Sequence, residues 1–422
     1  KMHKEKLANW GRRQQVTTLS SQDGIIIVSY FLPVFLKKLG PGEWEAKFDE
    51  ENVLALTNTN LRISWVGSPR YSSGIAPEEE EAVARVLNRI GCYPVFINST
   101  MHHQFYDVFC KQQIWPILHH VTNVYGAQNT TGSDATEQQD VWFTFATVTR
   151  LFRDKVVEIY QGKDLVWVHG FHLMSLPSFL RRLIPLAKIG LFIHTPFPSS
   201  EIWRSLTRRV DLLRGMLAAD QVGFHLYEYA RHFLTTCRRL LGHTYGMNAN
   251  GTLAVQVDGR EVAITCIHVG IDLPRVDVHT QSLFFKTQST FWKQRFAGKV
   301  VVAGIDRMEK LKGIPLKLLA IEQFLQENPA WSGKIVFPII GISALERGDD
   351  YRQTQKDVTF LMKRINAQFP EAVYFDERTE ASMNLAERLA FLACVNVLMI
   401  ASARDGLNRM PMEFTLARAA YA

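Results

Sequence analysis

The chain has 422 residues, of which 47% are hydrophobic and 21% are charged, and its formal net charge is +7. These fractions are ordinary for a globular protein and exclude collagen-like, coiled-coil and fully disordered chains. The length predicts two domains, because one hydrophobic core seldom grows to this size. The sequence contains no uncharged apolar run of about eighteen residues, so we expect no membrane-spanning helix.

Short runs rich in Val and Ile alternate with amphipathic segments along the chain. The runs predict strands over 24–29, 62–66, 94–97, 164–169, 189–194, 221–224, 299–303, 334–340, 372–375 and 396–400. Most are continuously hydrophobic, which is typical of parallel strands buried on both faces. Apolar residues at three- and four-residue spacing predict helices over 79–88, 202–218, 228–241, 282–296 and 314–327. This alternation predicts an α/β protein with two doubly wound sheets.

The predicted strands also suggest where the domains divide. We predict an N-terminal extension, a first Rossmann-like domain, a linker helix and a second Rossmann-like domain over 1–23, 24–275, 276–298 and 299–422. The polar stretch 126–139 is expected to be a surface loop. Because a second Rossmann-like domain should contain further strands, we expect the natural protein to continue beyond residue 422.

The cysteine spacing and the charge distribution indicate the cellular location and the class of ligand. The five cysteines lie far apart without CxxC spacing, and the chain begins without an apolar signal segment, so a cytoplasmic protein is expected. Positive charge is spread along the chain rather than gathered in one arm. We therefore expect small anionic ligands as partners, and neither nucleic acid nor membrane.

Polar side chains end several of the predicted strands. His169, His172 and His194 stand at the ends of two of them, where ligands of open α/β sheets bind. From the residues alone, a structural role and a ligand-binding role stay equally open for these histidines.

Charged residues follow two later strands. Arg307 and Lys312 combine a planar fork with a point charge, which suits a diphosphate, although a solvated charged turn has the same composition. Asp405 and Glu413 stand on either side of a predicted helix start, where carboxylates accept hydrogen bonds from sugar hydroxyls. Helix capping is the alternative for Asp405. The sequence has no GxxxxGK[ST], GxGxxG or HExxH motif, so a P-loop ATPase, a nicotinamide dehydrogenase and a zinc protease lack support.

Taken in order, these segments resemble the trehalose-6-phosphate synthase family, retaining glycosyltransferases of family 20. The segments that carry the resemblance are 167–177, 189–203, 218–231, 268–272, 306–315 and 404–413. The resemblance implies the GT-B fold, in which two Rossmann-like domains face a cleft, with the second domain incomplete here. Pro411 and the stretch 105–115 are closer to the branch in which synthase-like and phosphatase domains share one chain.

The resemblance also implies a donor site. The family transfers glucose from UDP-glucose to glucose 6-phosphate and needs no metal or other cofactor. Arg307 and Lys312 would stabilise the charge that develops on the departing diphosphate, and His194 would contact the donor glucose. The other donor-binding residues that the resemblance implies are Asp405, Gly406, Leu407, Asn408 and Glu413.

The acceptor side departs from the family pattern. Tyr106 and Trp115 match acceptor-side residues, but Phe31 replaces the arginine that grips the acceptor phosphate, and Gly170 replaces an aspartate. A second phosphate-binding arginine is also missing near residue 345, where Arg347 is a nearby substitute. The first two losses should together cost roughly 3–6 kcal/mol of acceptor binding, or about two to four orders of magnitude in affinity.

The sequence therefore predicts a synthase-like domain that keeps its UDP-glucose or UDP site, binds glucose 6-phosphate poorly and makes little or no trehalose 6-phosphate. One alternative is a fully active trehalose-6-phosphate synthase with a remodelled acceptor pocket. Another is a regulatory or scaffold domain for a trehalose-phosphate phosphatase. Under that alternative the expected partners are a C-terminal phosphatase domain or subunits of a synthase complex.

Overall fold

The computed structural model describes residues 23–49, 61–70, 74–121, 135–344, 348–380 and 382–421. Contacts between Cα atoms divide the chain into two compact units, Lys1–Val269 and Gly270–Ala422. In the part of the chain that is described, no helix is both long enough and apolar enough to cross a membrane.

The first unit is built on parallel strands. Its strands are β1 Gly24–Phe31, β2 Val34–Gly40, β3 Glu43–Phe48, β4 Arg62–Ser68, β5 Cys92–Pro94, β6 Leu165–His169, β7 Lys188–Ile193, β8 Gln221–Phe224, β9 Tyr245–Met247, β10 Leu253–Val257 and β11 Arg260–Cys266. They form a 9-stranded sheet in the order β5-β4-β1-β6-β7-β8-β11-β10-β9 and a separate β2-β3 pair. Neighbours from β5 to β11 run parallel, while β10 is antiparallel to both β9 and β11. Strand β1 therefore lies between β4 and β6, where the chain order of the strands reverses.

Both faces of this sheet are buried at β1, as the hydrophobic run predicts. Ile26 and Val28 belong to one core cluster, whereas Ile25 and Ile27 belong to another. Successive side chains of a strand point to opposite faces, so this division places a core on each side of β1. The packed helices explain why the strands show no polar alternation.

Helices connect the strands of the first unit. They are α1 Glu80–Arg89, α2 Ser99–His102, a wider π-helical stretch His103–Ile114, α3 Trp115–Leu118, α4 Ala135–Ile159, α5 Leu176–Leu183, α6 Ser200–Trp203, α7 Arg209–Leu217 and α8 Tyr227–Leu241. The prediction of one helix over 202–218 is wrong. The first helix ends at the buried Trp203, and the next begins at Arg209. Trp203 Nε1 donates a hydrogen bond to the carbonyl of Arg209 at 3.2 Å. Residues 126–134 of the predicted surface loop lie outside the described residues. Residues 135–139 belong to α4 and correct that prediction.

The second unit contains a smaller parallel sheet. Its elements are α9 Leu273–Gln281, α10 Leu283–Arg295, β12 Val300–Arg307, α11 Ile314–Glu327, β13 Ile335–Ile342, α12 Asp349–Gln368, β14 Val373–Arg378, α13 Leu385–Ala393, β15 Val397–Leu398 and α14 Met410–Tyr421. The strand order is β14-β13-β12-β15, and all neighbours are parallel. Strand β12 thus holds the position in this sheet that β1 holds in the first.

The stretch predicted as a linker helix, 276–298, contains parts of two helices. Helix α9 ends at Gln281, and Ser282 caps α10 by accepting a hydrogen bond from the backbone N–H of Phe285 at 3.1 Å. Val276, Phe285 and Trp292 are buried in a core cluster of the second unit. These helices therefore pack on the sheet of β12 to β15.

A buried ion pair ties the elements of the second unit around β12. Lys317, on α11, is 1% exposed and contacts the carboxylate of Asp306 near the end of β12. Its Nζ also donates to the carbonyl of Met399, just after β15, at 2.6 Å. Burial is the largest influence on Asp306 and raises the pKa of its carboxyl group, although Lys317 opposes this shift. One ammonium group therefore joins β12, α11 and the end of β15.

We expect Lys317→Met to destabilise the second unit by about 3–5 kcal/mol, because it leaves the Asp306 carboxylate buried and unpaired. The double variant Lys317→Met/Asp306→Leu should recover most of this loss. Hydrogen exchange of the β12 and β13 amides measures the free energy of opening for this unit by itself.

Lys299→Met is the matched control, because Lys299 reaches Glu371 at 3.6 Å in a pair whose carboxylate is 86% exposed. Such surface pairs contribute at most about 1 kcal/mol. An equal effect of the two single substitutions would show that the buried pair does not hold this sheet together.

Candidate functional site

Two loops follow neighbouring strands of the second sheet at the point where its strand order reverses. Arg307 is the last residue of β12, and the turn Lys310–Lys312 follows it directly. The loop 401–408 follows β15, the neighbour of β12 on the other side. Ligands of open α/β sheets bind at such a reversal, beyond the carboxyl ends of the strands.

Gly313 brings the two loops together. Its φ of +73° is in the left-handed region, and a Cβ atom at this position would overlap the carbonyl oxygen of Ala401. Only glycine accommodates both the backbone angle and the close approach. Helix α11 therefore begins directly against the loop that follows β15.

Both predicted cations of this site are paired with carboxylates. Lys312 Nζ donates to Asp405 Oδ2 at 2.7 Å, which joins the two loops. Arg307 Nε donates to Oε1 of the buried Glu309 at 3.0 Å, and the Arg307 side chain is 36% exposed. The structure thus places Lys312 and Asp405 in contact with each other. Glu309 is a further charged group that the sequence analysis did not single out.

The loop before α14 presents backbone N–H groups. Among the described residues, none accepts a hydrogen bond from the amides of Gly406, Leu407 or Asn408. The Asn408 side chain accepts a hydrogen bond from the backbone N–H of Met410, the first residue of α14, at 3.0 Å. Three amides at a helix N-terminus suit oxygen atoms of a polar or anionic ligand.

Glu413, in the first turn of α14, forms a buried pair with Arg388. Arg388 Nε and Nη2 donate to the two carboxylate oxygens at 2.9 and 3.2 Å, and Arg388 Nη1 donates to the carbonyl of Met383 at 2.9 Å. A planar guanidinium holds a carboxylate most rigidly in this two-bond arrangement. Each carboxylate oxygen retains acceptor capacity for a ligand hydroxyl.

In the first unit, the corresponding reversal lies between β1 and β6. Phe31 ends β1, and Gly170 follows the last residue of β6. The Phe31 ring lies edge-on to Tyr30 and Tyr106, with ring centroids 4.7 and 5.2 Å apart. The end of β1 therefore carries an uncharged aromatic side chain that is packed against two other rings.

This aromatic corner extends to two histidines. The Tyr106 ring stacks on Tyr30, His172 and His102 at centroid distances of 5.1, 5.4 and 5.2 Å. The Tyr30 hydroxyl and His102 Nδ1 are 2.8 Å apart, at hydrogen-bond distance. Burial raises the pKa of Tyr30 and lowers the pKa of His102, so both groups are kept neutral. We call Tyr30, Phe31, His102, Tyr106 and His172 the aromatic corner.

Gly170 has a backbone conformation that other residues seldom adopt. Its φ of 86° and ψ of 162° fall in a region populated almost only by glycine. Its N–H donates to the carbonyl of Phe192 at 2.8 Å, which fixes the peptide. An added Cβ would lie 3.5 Å from His172 Nδ1. The backbone at residue 170 therefore favours glycine.

Three histidines contact one another at the ends of β6, β7 and β8. His169 Nδ1 lies 3.0 Å from His194 Nε2, and His194 Nδ1 lies 3.2 Å from His225 Nε2. Burial lowers the pKa of His169 to about 4 and, with help from the neighbouring histidines, that of His194 to about 3. His169 and His194 are therefore neutral near pH 7.

This arrangement separates the histidines that the sequence analysis treated alike. His169 and His194 belong to the three-histidine chain, whereas His172 belongs to the aromatic corner. The sequence analysis missed His225, although it follows a third predicted strand in the same way. Trp115, the other predicted acceptor-side aromatic residue, stacks on His119 with ring centroids 4.0 Å apart. Arg347 lies outside the described residues.

Comparisons with known proteins agree with this architecture. The profile described as Glycosyltransferase family 20 matches residues 24–422. Alpha,alpha-trehalose-phosphate synthase [UDP-forming] 5 of Arabidopsis thaliana is 33% identical over 404 residues, covering 94% of this chain and 46% of that protein. A second synthase of that plant, described as probable and numbered 7, is 35% identical over 409 residues, with 94% and 46% covered. The chain thus spans about half the length of these curated relatives.

Solved structures match the fold. The N-terminal domain of Candida albicans trehalose-6-phosphate phosphatase superposes with a TM-score of 0.78 at 25% identity, covering 94% of this chain and 83% of that one. A Burkholderia xenovorans UDP-forming trehalose-phosphate synthase in complex with glucose-6-phosphate gives 0.74 at 19% identity, covering 94% and 82%. The Escherichia coli protein bound with UDP-2-fluoro glucose gives 0.72 at 18% identity, with the same coverage.

These matches test two predictions from the sequence. The resemblance to the trehalose-6-phosphate synthase family is confirmed by the profile match and by the curated relatives. The α/β fold of the GT-B class is confirmed by the superpositions. The chain therefore belongs to glycosyltransferase family 20, as a trehalose-6-phosphate synthase-like domain.

Proposed function

We propose that this domain binds UDP-glucose or UDP through its second unit but makes little or no trehalose 6-phosphate, because its acceptor side no longer suits a sugar phosphate. The observation that carries the donor half is the Lys312–Asp405 contact at the strand-order reversal, beside the amides of Gly406, Leu407 and Asn408. Two relatives have solved structures of complexes, the Burkholderia xenovorans protein with glucose-6-phosphate and the Escherichia coli protein with UDP-2-fluoro glucose.

The charges of the donor loops suit a nucleotide sugar. When the bond between glucose C1 and UDP breaks, negative charge develops on the diphosphate, and Arg307 and Lys312 supply cations for it. Lys312 uses one of its three N–H donors on Asp405, so donors remain for phosphate oxygens. The Asp405 carboxylate accepts hydrogen bonds from sugar hydroxyls, and Glu413 supports the ribose hydroxyls. His194 contacts the donor glucose in this proposal.

The loop 401–408 contains one further polar side chain that supports ligand binding. Ser402 Oγ is buried, and no described residue forms a hydrogen bond with it. Buried hydroxyl groups are normally satisfied, so an unsatisfied one beside a predicted site favours a ligand there. This supports the assignment of 401–408 to donor binding.

The acceptor half of the proposal depends on the aromatic corner. Phe31 presents an uncharged ring that is already packed against Tyr30 and Tyr106, so it offers no donor to a phosphate. Tyr106 lies within this packing, and Lys111 Nζ lies 4.9 Å from the centre of its ring. Trp115 remains a proposed acceptor-side residue. A dianionic acceptor therefore meets the rings of Phe31 and Tyr106, with Lys111 beside Tyr106, instead of an arginine.

A second role is favoured by the relative with the TM-score of 0.78, which is the N-terminal domain of a phosphatase. A domain that binds a nucleotide sugar without transferring it can report the supply of that sugar to an attached enzyme. We therefore include regulation of a trehalose-phosphate phosphatase, or of a synthase complex, in the proposal.

Arg307→Ala should weaken UDP binding by about 10- to 100-fold, the range expected when a hydrogen-bonded charge on a phosphate is lost. Isothermal titration calorimetry with UDP measures this directly. Arg352→Ala is the matched control, because Arg352 is an exposed arginine of α12 paired with Asp349 in the same unit. Unchanged affinity in Arg307→Ala would refute the assignment of Arg307 to the diphosphate.

Release of UDP from UDP-glucose should not depend on glucose 6-phosphate in the natural sequence. Phe31→Arg/Gly170→Asp should not restore this dependence, because the ring packing and the glycine backbone both differ from what the restored side chains need. A coupled assay of UDP release with and without glucose 6-phosphate tests both statements. Acceptor-dependent turnover by the natural sequence would instead establish an active synthase with a remodelled pocket.

Gly170→Ala separates backbone strain from charge in this experiment. It should lower the stability of the first unit by about 1–3 kcal/mol, as Gly170→Asp should, because both place a side chain in a glycine-only conformation. Hydrogen exchange of the β6 and β7 amides measures the loss. If neither variant loses stability, the backbone at residue 170 accepts side chains, and the missing aspartate alone accounts for the acceptor defect.

A further inference from the structure

A buried arginine holds the carboxylate that the proposed function assigns to the ribose. Glu413 is 3% exposed and Arg388 is 8% exposed. The Nε and Nη2 atoms of Arg388 each donate to a different oxygen of the Glu413 carboxylate. Arg388 lies on α13 and Glu413 on α14, and these two helices of the second unit pack against each other. The pair is therefore a feature of the second unit alone.

Arg388 is itself held in place by its surroundings. Its third terminal nitrogen, Nη1, donates to the carbonyl of Met383 at 2.9 Å. Met383 is buried just before α13 and belongs to the core cluster that contains residues of this helix. Asn384 caps α13 by accepting a hydrogen bond from the backbone N–H of Glu387 at 3.1 Å. The guanidinium group is thus bonded to the backbone on one side and to the carboxylate on the other.

The two hydrogen bonds limit which lone pairs Glu413 can offer to a ligand. An ionised carboxylate has about four lone-pair positions, two on each oxygen. Arg388 occupies one position on each oxygen, and its planar fork keeps the carboxylate close to the guanidinium plane. One lone pair on each oxygen remains, and its direction is fixed by Arg388. A ligand hydroxyl can therefore bind to Glu413 from a narrow range of directions only.

Glu413 lies one helical turn from the loop 401–408. Its backbone N–H donates to the carbonyl of Arg409 at 3.1 Å, which places it in the first turn of α14. In a nucleoside diphosphate the ribose is bonded directly to the phosphates. A ligand whose phosphates meet the amides of Gly406, Leu407 and Asn408 therefore carries its ribose hydroxyls to the start of α14.

We propose that Arg388 is a positioning residue that gives the donor site its preference for ribose over sugars without the ribose hydroxyls, because it holds the Glu413 carboxylate in the orientation that accepts such a hydroxyl. This role rests on the proposed function, in which the second unit binds UDP. Because the carboxylate is oriented before the ligand binds, little side-chain freedom is lost on binding. Lysine at residue 388 would supply a freely rotating point charge and would not fix the carboxylate plane.

Titration calorimetry of the full chain with UDP and with 2′,3′-dideoxy-UDP tests this role. The natural sequence should bind UDP about 10- to 100-fold more tightly than the dideoxy analogue, the range expected for hydrogen bonds to a charged group. Arg388→Lys should weaken UDP binding about tenfold and leave binding of the analogue unchanged, so the affinity ratio should fall. A merely structural role would weaken both ligands by the same factor. An unchanged ratio in a folded Arg388→Lys protein would overturn the positioning role.

Arg364→Lys is the matched control. Arg364 Nε donates to Glu322 Oε1 at 2.8 Å, and its Nη2 donates to the other carboxylate oxygen. This pair joins α11 and α12 of the same unit and has the two-bond geometry of the pair between Arg388 and Glu413. Arg364→Lys should leave both affinities unchanged. An equal fall of the affinity ratio in the two variants would show that any lost ion pair of this unit has the effect, and would overturn the proposal.

A crystal structure of the natural sequence with UDP tests the same role without a substitution, so the proposal can be refuted even if Arg388→Lys does not fold. Arg388 should keep both hydrogen bonds to Glu413 while a Glu413 oxygen accepts a hydroxyl of the bound ribose. A Glu413 carboxylate that has left Arg388, or that does not contact the ribose, would overturn the proposal.

The calorimetry also distinguishes this proposal from the proposed function. Absence of UDP binding by the natural sequence would refute the proposed function and, with it, the role of Arg388. Equal affinities of the natural sequence for UDP and the dideoxy analogue would refute the assignment of Glu413 to the ribose, while UDP binding itself would stand. A preference for UDP that Arg388→Lys retains in full would refute the role of Arg388 alone.

Discussion

The position of one parallel strand in each sheet determines where the candidate sites of this protein lie. Strand β1 lies between β4 and β6, and β12 lies between β13 and β15. At such a reversal, ligands of open α/β sheets bind beyond the carboxyl ends of the two adjacent strands. Phe31 and Arg307 each end one of these strands, and the other candidate residues belong to their surroundings. The buried Lys317–Asp306 pair stabilises this arrangement in the second unit.

In the loops that follow β12 and β15, positive and negative side chains are paired with each other. Glu309 pairs with Arg307, and Asp405 pairs with Lys312, so the two cations of the site are matched by two carboxylates. This keeps the loops ordered, but a diphosphate must then compete with existing anions. Preorganised cations of this kind need little rearrangement when charge develops on the leaving group.

Buried strands could be predicted from the sequence better than exposed strands and side-chain ion pairs. Every predicted strand overlaps an observed one, because strands buried on both faces leave continuous hydrophobic runs. The hairpin β2-β3 and strands β9 to β11 were missed, since their polar and charged side chains interrupt such runs. Arg388, the partner of Glu413, was missed because the two residues are 25 positions apart and no motif spacing connects them. Side-chain pairs of this kind become visible only when helices α13 and α14 pack.

The aromatic corner shows why the binding energies estimated for single residues from a sequence are not additive. His172 stacks on Tyr106 and also lies nearest to where a Cβ at Gly170 would be. Tyr106 in turn contacts Phe31, so positions 31 and 170 share neighbours through one packed set of rings. Substitutions that share contacts in this way are not energetically independent. The sequence-based estimate adds the losses of an arginine and an aspartate as if they were independent, whereas residues 31 and 170 share contacts with one set of packed rings.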